Sequence, residues 1–468
     1  MAKVVVIGGG LSGLAAARAV LDEARNRGVA VQVRLLERDA VLGGKIRTSR
    51  EDGFVCEEGP NGFLDNKPAT LALVERLEAG PRLLKSEDGA RRRYVFTGGE
   101  LKPLPEDPMS FVLSDILSIR GKLRLAAEMF LPQGQAGVDE SVAQFVRRRL
   151  GDEALDKLID PMSAGIYAGD PAVMSLASCF PKVTMLEQQF GGLLKGMLAM
   201  QKMAKAAGRE GPQSAGPGGV LWSMRSGTAE LIDLLAASLP EGTVQAGMEA
   251  EELERSGASW RVRTADGGEL EADAVALATP AYDAARLLRG RDERLGELLY
   301  AVPYVPAAVV CVGYVADQLT RPLDGFGFLI PRSEGRRILG SLWSSSIFAN
   351  RAPSGRVLLT QIVGGARNPE LVDLDDGELL QLVRDELSWT LGIRAEPCYT
   401  KVVRWARAIP QYVVGHGQRL AEIQERVGRL GGLFLGGNAY HGISINDCTH
   451  HAPILAGQVL DGLQGAMQ

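Results

Sequence analysis

Hydrophobic positions along the chain follow two rhythms, and the architecture changes where the rhythm changes. Val4–Ile7 is an unbroken β-branched run, Leu14–Ala24 repeats apolar residues at helical spacing, and Val29–Leu36 returns to a strand pattern. An apolar run without polar alternation marks a parallel strand covered on both faces, so residues 1–85 predict alternating strands and helices. From Pro105 to about Ala207 apolar residues fall three and four apart, predicting helices over Phe111–Ile119, Lys122–Phe130, Val142–Arg149 and Glu153–Ile159. Gly208–Gly219 (GREGPQSAGPGG) reads as a loop. A helix over Ala229–Ser238 and strands over Trp260–Thr264 and Ala274–Ala278 follow. Residues 300–410 then predict strands at Ala307–Tyr314, Phe326–Ile330, Ile338–Trp343 and Val357–Val363 with one helix at Gly377–Leu391, which suits an antiparallel sheet carrying a helix. Finally Leu433–Gly437 predicts a short buried strand and Asp447–Leu463 a helix, repeating the geometry of the opening.

The turn between the first strand and helix carries the first chemistry. In VVVIGGGLSG, Gly8 allows a tight turn, Gly10 lets a pyrophosphate approach the backbone, and Gly13 lets the helix pack on the strand. Gly9, Leu11 and Ser12 complete the loop, whose first helical N–H groups face an anion. Glu37 closes the second strand, where a dinucleotide-binding unit needs an acid for the ribose hydroxyls; the excess over the usual spacing fits in Asp22–Gly28. The bland alternative is an ordinary glycine turn before a helix. A second strand delivering Gly436 and Gly437 to a helix N-terminus, far along the chain, predicts that both chain ends build one cofactor domain.

Composition narrows the class. With 468 residues and 46% hydrophobic content the chain is a globular protein of about three domains. A net charge of −5 argues against a nucleic-acid partner. The five cysteines form no C-x-x-C pair and the four histidines show no helical ligand spacing, so neither a disulfide framework nor a metal is predicted. The chain opens almost directly on a strand, and its longest apolar run, Val305–Ala316, is too short and β-branched to span a bilayer. A cytoplasmic location is expected.

After Glu37 come Arg38 and then Gly43, Gly44 and Lys45, an acid followed by paired glycines that resembles the flavoprotein amine oxidases. Four further segments resemble the oxygen-dependent protoporphyrinogen oxidases in order along the chain: EGPNGFL (58–64), GIYAGDP (165–171), PQYVVGH (410–416) and GGNAYHGISINDC (436–448). The resemblance implies FAD as cofactor, with Gly8 to Gly13 on the pyrophosphate and Glu37 on the ribose. It places Gly43, Gly44, Lys45, Gly59, Pro60, Asn61 and Gly62 along the flavin. Met248, in a strand expected over Thr243–Glu249, matches the position whose backbone meets the adenine. Trp405, Gly437, Asn438, Ile443, Ser444 and Ile445 would close the isoalloxazine end. Met248 stands where Val is more usual, and Lys45 where some members carry Trp.

A tetrapyrrole needs a wide apolar slot and a cation for its propionates. The resemblance assigns the cation to Arg93, with Arg91 and Arg92 as competitors, the apolar wall to Leu329, Leu342 and Ile362, and a tight backbone approach to Ala168 and Gly169. Plain core packing is the alternative for each apolar residue. The reaction implied is stepwise hydride removal from a porphyrinogen, six electrons in all, with O2 as final acceptor and no side-chain nucleophile. The expected fold is α/β, with a discontinuous Rossmann-like FAD domain (1–85, 220–285, 425–468), an antiparallel-sheet substrate domain (86–105, 286–424) and a helical insert (106–219).

Within the insert, residues 191–209 place Leu193, Leu194, Met197, Leu198, Met200 and Met203 beside Lys195, Lys202, Lys205 and Arg209. That pattern suits a helix lying on an anionic bilayer or, equally, a core-facing helix with a solvated basic side. The family resemblance favours peripheral membrane docking and carries a homodimer as an expectation. LWSSSIFANRAP (342–353) and GNAY resemble the protoporphyrinogen branch, whereas GGKI and RRRLGDE resemble the coproporphyrinogen III branch. A flavin-binding redox sensor without turnover is the alternative from another class.

Overall fold

The computed structural model describes every residue except 136, 207–218 and 467–468. Most of the expected loop at Gly208–Gly219, and Arg209 with it, lies outside the described residues. A five-stranded all-parallel sheet runs in the order Val244–Ala246, Val31–Glu37, Ala2–Ile7, Ala274–Leu277, Leu433–Leu435. Its central strand is buried from Val4 to Ile7, as the unbroken apolar run requires. On one face the helix Leu11–Arg27 packs Leu14, Ala17 and Val20 against Ala456 and Val459 of the long closing helix Ile445–Ala466, so the two chain ends share a core. The other face carries a three-stranded antiparallel meander (Ala250–Ser256, Ser259–Thr264, Glu269–Ala272) built around Trp260, and the helices Ala281–Leu288 and Glu293–Tyr300.

Strand boundaries shift for local reasons. The second strand begins at Val31 rather than Val29, because Gly28 leaves the helix at φ 67° and the Gly28 and Val29 N–H groups still bond carbonyls of its last turn. The strand expected over Thr243–Glu249 shrinks to Val244–Ala246, since Gly247 turns the chain at φ 74°. Leu433–Gly437 pairs only as far as Leu435, and the two glycines form the turn.

The second sheet has seven strands, ordered Tyr399–Pro410, Tyr304–Val315, Arg356–Gly364, Ile338–Leu342, Gly327–Leu329, Arg93–Thr97, Glu100–Pro103. Side chains alternate across a sheet, and here one parity (Tyr94, Val310, Phe328, Leu359) packs under the helix Asp376–Leu391. That helix starts sharply at Asp375, whose carboxylate accepts the Glu378 N–H in a capping box. The opposite parity (Val309, Cys311, Leu358) packs on Phe54 and Cys56.

Between Pro108 and Ala206 the chain is helical; Val142–Arg149 stands where the periodicity predicts it, and the other helices divide differently. The expected helix Phe111–Ile119 breaks: Pro108–Leu113 ends where Ser114 turns extended, and Ser118 caps a new helix, Ile119–Ala126. Lys122–Phe130 is therefore the tail of that helix plus a 3₁₀ turn at Ala127–Phe130. Glu153–Ile159 passes through a π-turn at Leu155–Ile159 into Asp160–Tyr167. A buried pair, Arg149 with Glu128, organises the end of the segment, where the Glu128 carboxylate accepts the Leu193 and Leu194 N–H groups and so caps Leu193–Ala206. Among the described residues no helix is long and apolar enough to cross a membrane.

Candidate active site

The glycines of the opening loop divide by what surrounds them. A Cβ on Gly13 would lie 1.8 Å from the Gly8 carbonyl oxygen, and one on Gly9 2.7 Å from the Glu37 Cβ, so these two exist for close packing. Gly10 and Gly44 differ: a Cβ there would meet nothing nearer than 3.9 and 3.8 Å. They flank open space at the N-terminus of Leu11–Arg27, whose first turn has no capping side chain and no acidic residue. Such an end attracts an anion. Gly43 donates its N–H to the Gly9 carbonyl and thereby locks the paired glycines onto the loop. Glu37 reaches the same turn, accepting the Gly9 N–H at 2.6 Å and the Asp39 N–H at 2.9 Å. Arg38 pairs with Asp283.

Thr279 completes the cradle. Its backbone adjoins both Gly8 and Gly437, and its buried hydroxyl has no protein partner. Open glycine faces, a bare helix end and an orphaned hydroxyl between two glycine turns fit the diphosphate of a dinucleotide. Met248 lies beside the end of the second strand, with its N–H donated to the Glu37 carbonyl at 2.7 Å.

Lys45 follows the paired glycines and extends over the Tyr304 ring at 5.2 Å. Burial pulls its ammonium down to about 8, opposed by the nearby Asp283 carboxylate. The EGPNG segment runs alongside: Gly59 touches the Lys45 carbonyl and Gly62 the Trp222 carbonyl, closer than any side chain would allow. Pro60 accepts from the Thr228 hydroxyl, and Asn61 lies between these contacts. Behind them Glu57 is buried against Arg351 and Thr228, and burial raises its carboxyl despite the guanidinium. From the C-terminal side, Asn438, Ile443 and Ser444 form the loop before the closing helix, which begins at Ile445; Asp447 accepts from the Ser444 hydroxyl.

Register brings four of the residues expected to bind substrate onto one surface, together with Trp405. Across the seven-stranded sheet, Arg93 aligns with Gly327, Leu342 and Thr360, and one row along Leu329 aligns with Gly340, Ile362, Val309 and Val403. Trp405 shares the parity of Val403. Arg93, Leu329, Leu342, Ile362 and Trp405 therefore all face away from Asp376–Leu391. This face is only half covered. Phe54 and Cys56 pack over Val309 and Cys311 at one end, and Gly165 of Asp160–Tyr167 sits against Leu329 at the other. The Trp405 indole donates to the Glu58 carbonyl at 2.7 Å, which places the EGPNG segment along the same face.

The three consecutive arginines are distinguished by their partners. Arg91 lies by Asp88 and Arg92 pairs with Asp324, whereas Arg93 stacks over Phe326 at 5.2 Å and has no ion pair among the described residues. Burial lowers its guanidinium, with Glu106 acting the other way. Ala168 holds φ 47° at the end of Asp160–Tyr167, and its carbonyl accepts the Ala366 N–H. Protein contacts account for Gly169: a Cβ there would meet Gln411 Oε1 and Met174 Sδ. Thr279 and Tyr412 carry no assignable role in the sequence alone. Thr279 follows the strand Ala274–Leu277 where a nucleotide-binding turn belongs, and Tyr412 lies inside the quoted PQYVVGH.

Residues 11–460 match the model of the flavin containing amine oxidoreductases. The chain is similar to a coproporphyrinogen III oxidase of Bacillus subtilis (strain 168), 32% identical over 95% of each chain. It is also similar to protoporphyrinogen oxidase 1, chloroplastic, of Arabidopsis thaliana, 33% identical over 96% of this chain and 86% of the relative. A solved structure from Exiguobacterium sp. 255-15, provisionally named a protoporphyrinogen oxidase, superposes with a TM-score of 0.83 at 28% identity over 99% of each chain. The chain thus belongs to the flavin containing amine oxidoreductase family.

Proposed function

We propose that this enzyme is an FAD-dependent oxidase that converts protoporphyrinogen IX to protoporphyrin IX in three two-electron steps, with O2 as electron acceptor. The observation that carries the reading is the common face of Arg93, Leu329, Leu342, Ile362 and Trp405 beside the EGPNG segment. A flat apolar macrocycle fits an apolar sheet face, and propionates on one edge fit one unpaired guanidinium at its rim. Bound FAD would supply the two-electron acceptor. The chain's own part is to hold the diphosphate at Gly10, Gly44 and the Leu11–Gly13 amides, orient the ring along Lys45 and Gly59–Gly62, and keep water off the sheet face.

The coproporphyrinogen III reading is the second one, favoured by the likeness to the Bacillus subtilis relative along 95% of both chains. That substrate carries two more propionates and calls for cations beyond Arg93. Anaerobic mixing of the holoenzyme with each porphyrinogen decides. Bleaching of the flavin absorbance by one, with porphyrin fluorescence on admitting O2, names the substrate; no bleaching by either refutes both readings and leaves the sensor.

Membrane docking belongs to the same proposal. Leu193–Ala206 exposes Met197, Leu198, Met200 and Met203 among the exposed Lys195, Lys202 and Lys205, and Leu113, Ile119 and Phe130 of the same helical segment are exposed too. Flotation with anionic liposomes tests it, and recovery wholly in the bottom fraction rejects it.

A further inference from the structure

Tyr412 lies just beyond the strand Tyr399–Pro410 and is 2% exposed. Its hydroxyl donates to the Asn438 carbonyl at 2.6 Å and accepts the Gly442 N–H at 2.8 Å, so one side chain spans the loop 438–442. Gly442 holds φ 117°, a conformation that leaves its N–H aimed at the ring oxygen. The Tyr412 ring is itself fixed. It stacks on His416 at 4.2 Å and 10°, lies 6.2 Å from Tyr167, and its carbonyl accepts the Ser175 N–H. His416 is buried with neither ring nitrogen hydrogen-bonded, so it serves as an apolar plate rather than a polar partner. Burial pushes the Tyr412 phenol far up, so it remains a donor throughout the working pH range.

We infer that Tyr412 is the positioning residue for the flavin: its hydroxyl, held by the His416 stack, sets the height of the loop 438–442 over the ring that Asn438 and Ile443 would cover. This rests on the FAD reading above. Ala439 and Tyr440 sink into the core and His441 stacks on His451, while Ser444–Asp447 fixes the start of the closing helix; the hydrogen bonds that tie both ends of 438–442 to one point are those of Tyr412. Removing the hydroxyl takes the partner from a half-buried carbonyl and a half-buried N–H while keeping the ring and its stack.

The test is Tyr412→Phe in the holoenzyme. FAD is expected to remain bound, with kcat for the porphyrinogen about tenfold lower, KM within about twofold, and the vibronic structure of the flavin absorbance bands changed. A lowered Tm with kcat and spectrum per bound flavin unchanged would show a structural role only and overturn the inference. Should the variant not fold, amide hydrogen exchange of the wild-type holoenzyme decides: Gly442 protected supports the clamp, Gly442 exchanging at the rate of a free loop overturns it. A wild-type protein that takes up no flavin refutes the FAD reading itself, a distinct result that removes the inference with it.

Discussion

The indole N–H of Trp405 donates to the main-chain carbonyl of Glu58 at 2.7 Å, and this bond joins the seven-stranded sheet to the segment that leads into Gly59–Gly62. The two residues are distant in sequence. Arg47 stacks on the outer face of the same indole and donates to the Gly44 carbonyl, extending the link to the paired glycines. Trp405→Phe keeps an aromatic ring and loses the bond. Its cost is about 1–2 kcal/mol of stability by denaturant titration, with flavin still bound but turnover lowered; stability and turnover equal to wild type would show that the bond links nothing of consequence.

Gly10 and Gly13 predict opposite failures. Gly13→Ala places a methyl 1.8 Å from the Gly8 carbonyl oxygen, so the strand–turn–helix packing itself must shift and the soluble yield falls. Gly10→Val meets no protein atom closer than 3.9 Å at its Cβ and keeps a φ of −75°, so the protein folds, yet its side chain occupies the anion cradle. Purified Gly10→Val is expected to show wild-type circular dichroism and no flavin absorbance near 450 nm. Full flavin content in that variant contradicts the cradle.

Arg93→Leu tests the assignment among three neighbouring arginines. Loss of a charge-assisted contact costs about 1.5–3 kcal/mol, so KM for the porphyrinogen rises roughly 10- to 100-fold with little change in kcat. Arg91→Ala and Arg92→Ala, whose side chains lie by Asp88 and Asp324, leave KM near wild type. A reversal of that order moves the propionate site elsewhere.

His416 predicts how stability responds to acid. Burial, with Arg419 and His441 acting in the same direction, holds its folded-state pKa at about 4 against 6.5 for a free histidine. A depressed folded pKa means that the folded protein refuses a proton the unfolded chain accepts. The stabilisation is therefore complete above about pH 6.5 and is lost as pH falls towards 4, amounting to about 3 kcal/mol. Wild-type Tm should drop across this window, and His416→Phe, which retains a stacking ring, should flatten that part of the profile. An equally steep profile in both proteins assigns the acid sensitivity to other groups.

Local periodicity located the strands built on apolar β-branched runs such as Val4–Ile7 or Val357–Val363, which have one stable fate, a buried strand, and missed strands of mixed polarity such as Tyr399–Pro410 and Ala250–Ser256. In the helical segment it placed Val142–Arg149 and misdivided the rest. There Ser114 and Ser118 end one helix and start another within a stretch whose apolar spacing continues, since capping hydrogen bonds are decided by one side chain and leave no trace in the period.

By itself the sequence determined the glycine-rich half of the candidate site. Gly8, Gly9, Gly10, Gly13, Glu37, Gly43 and Gly44 all lie within the first 44 residues, and their conformation follows from local sterics that any βαβ turn imposes. Only the tertiary structure decided the other half. Whether Arg93, Leu329, Leu342, Ile362 and Trp405 share a surface depends on the register of five strands that are far apart in sequence, and a slip of one residue in any of them turns that side chain to the opposite face. Arg93 separates from Arg91 and Arg92 only once Asp324 and Asp88 claim the other two. Tyr412 acquires a role only when the closing loop arrives beneath its hydroxyl, because hydrogen bonds across sequence distance are written in the fold rather than in the order of residues.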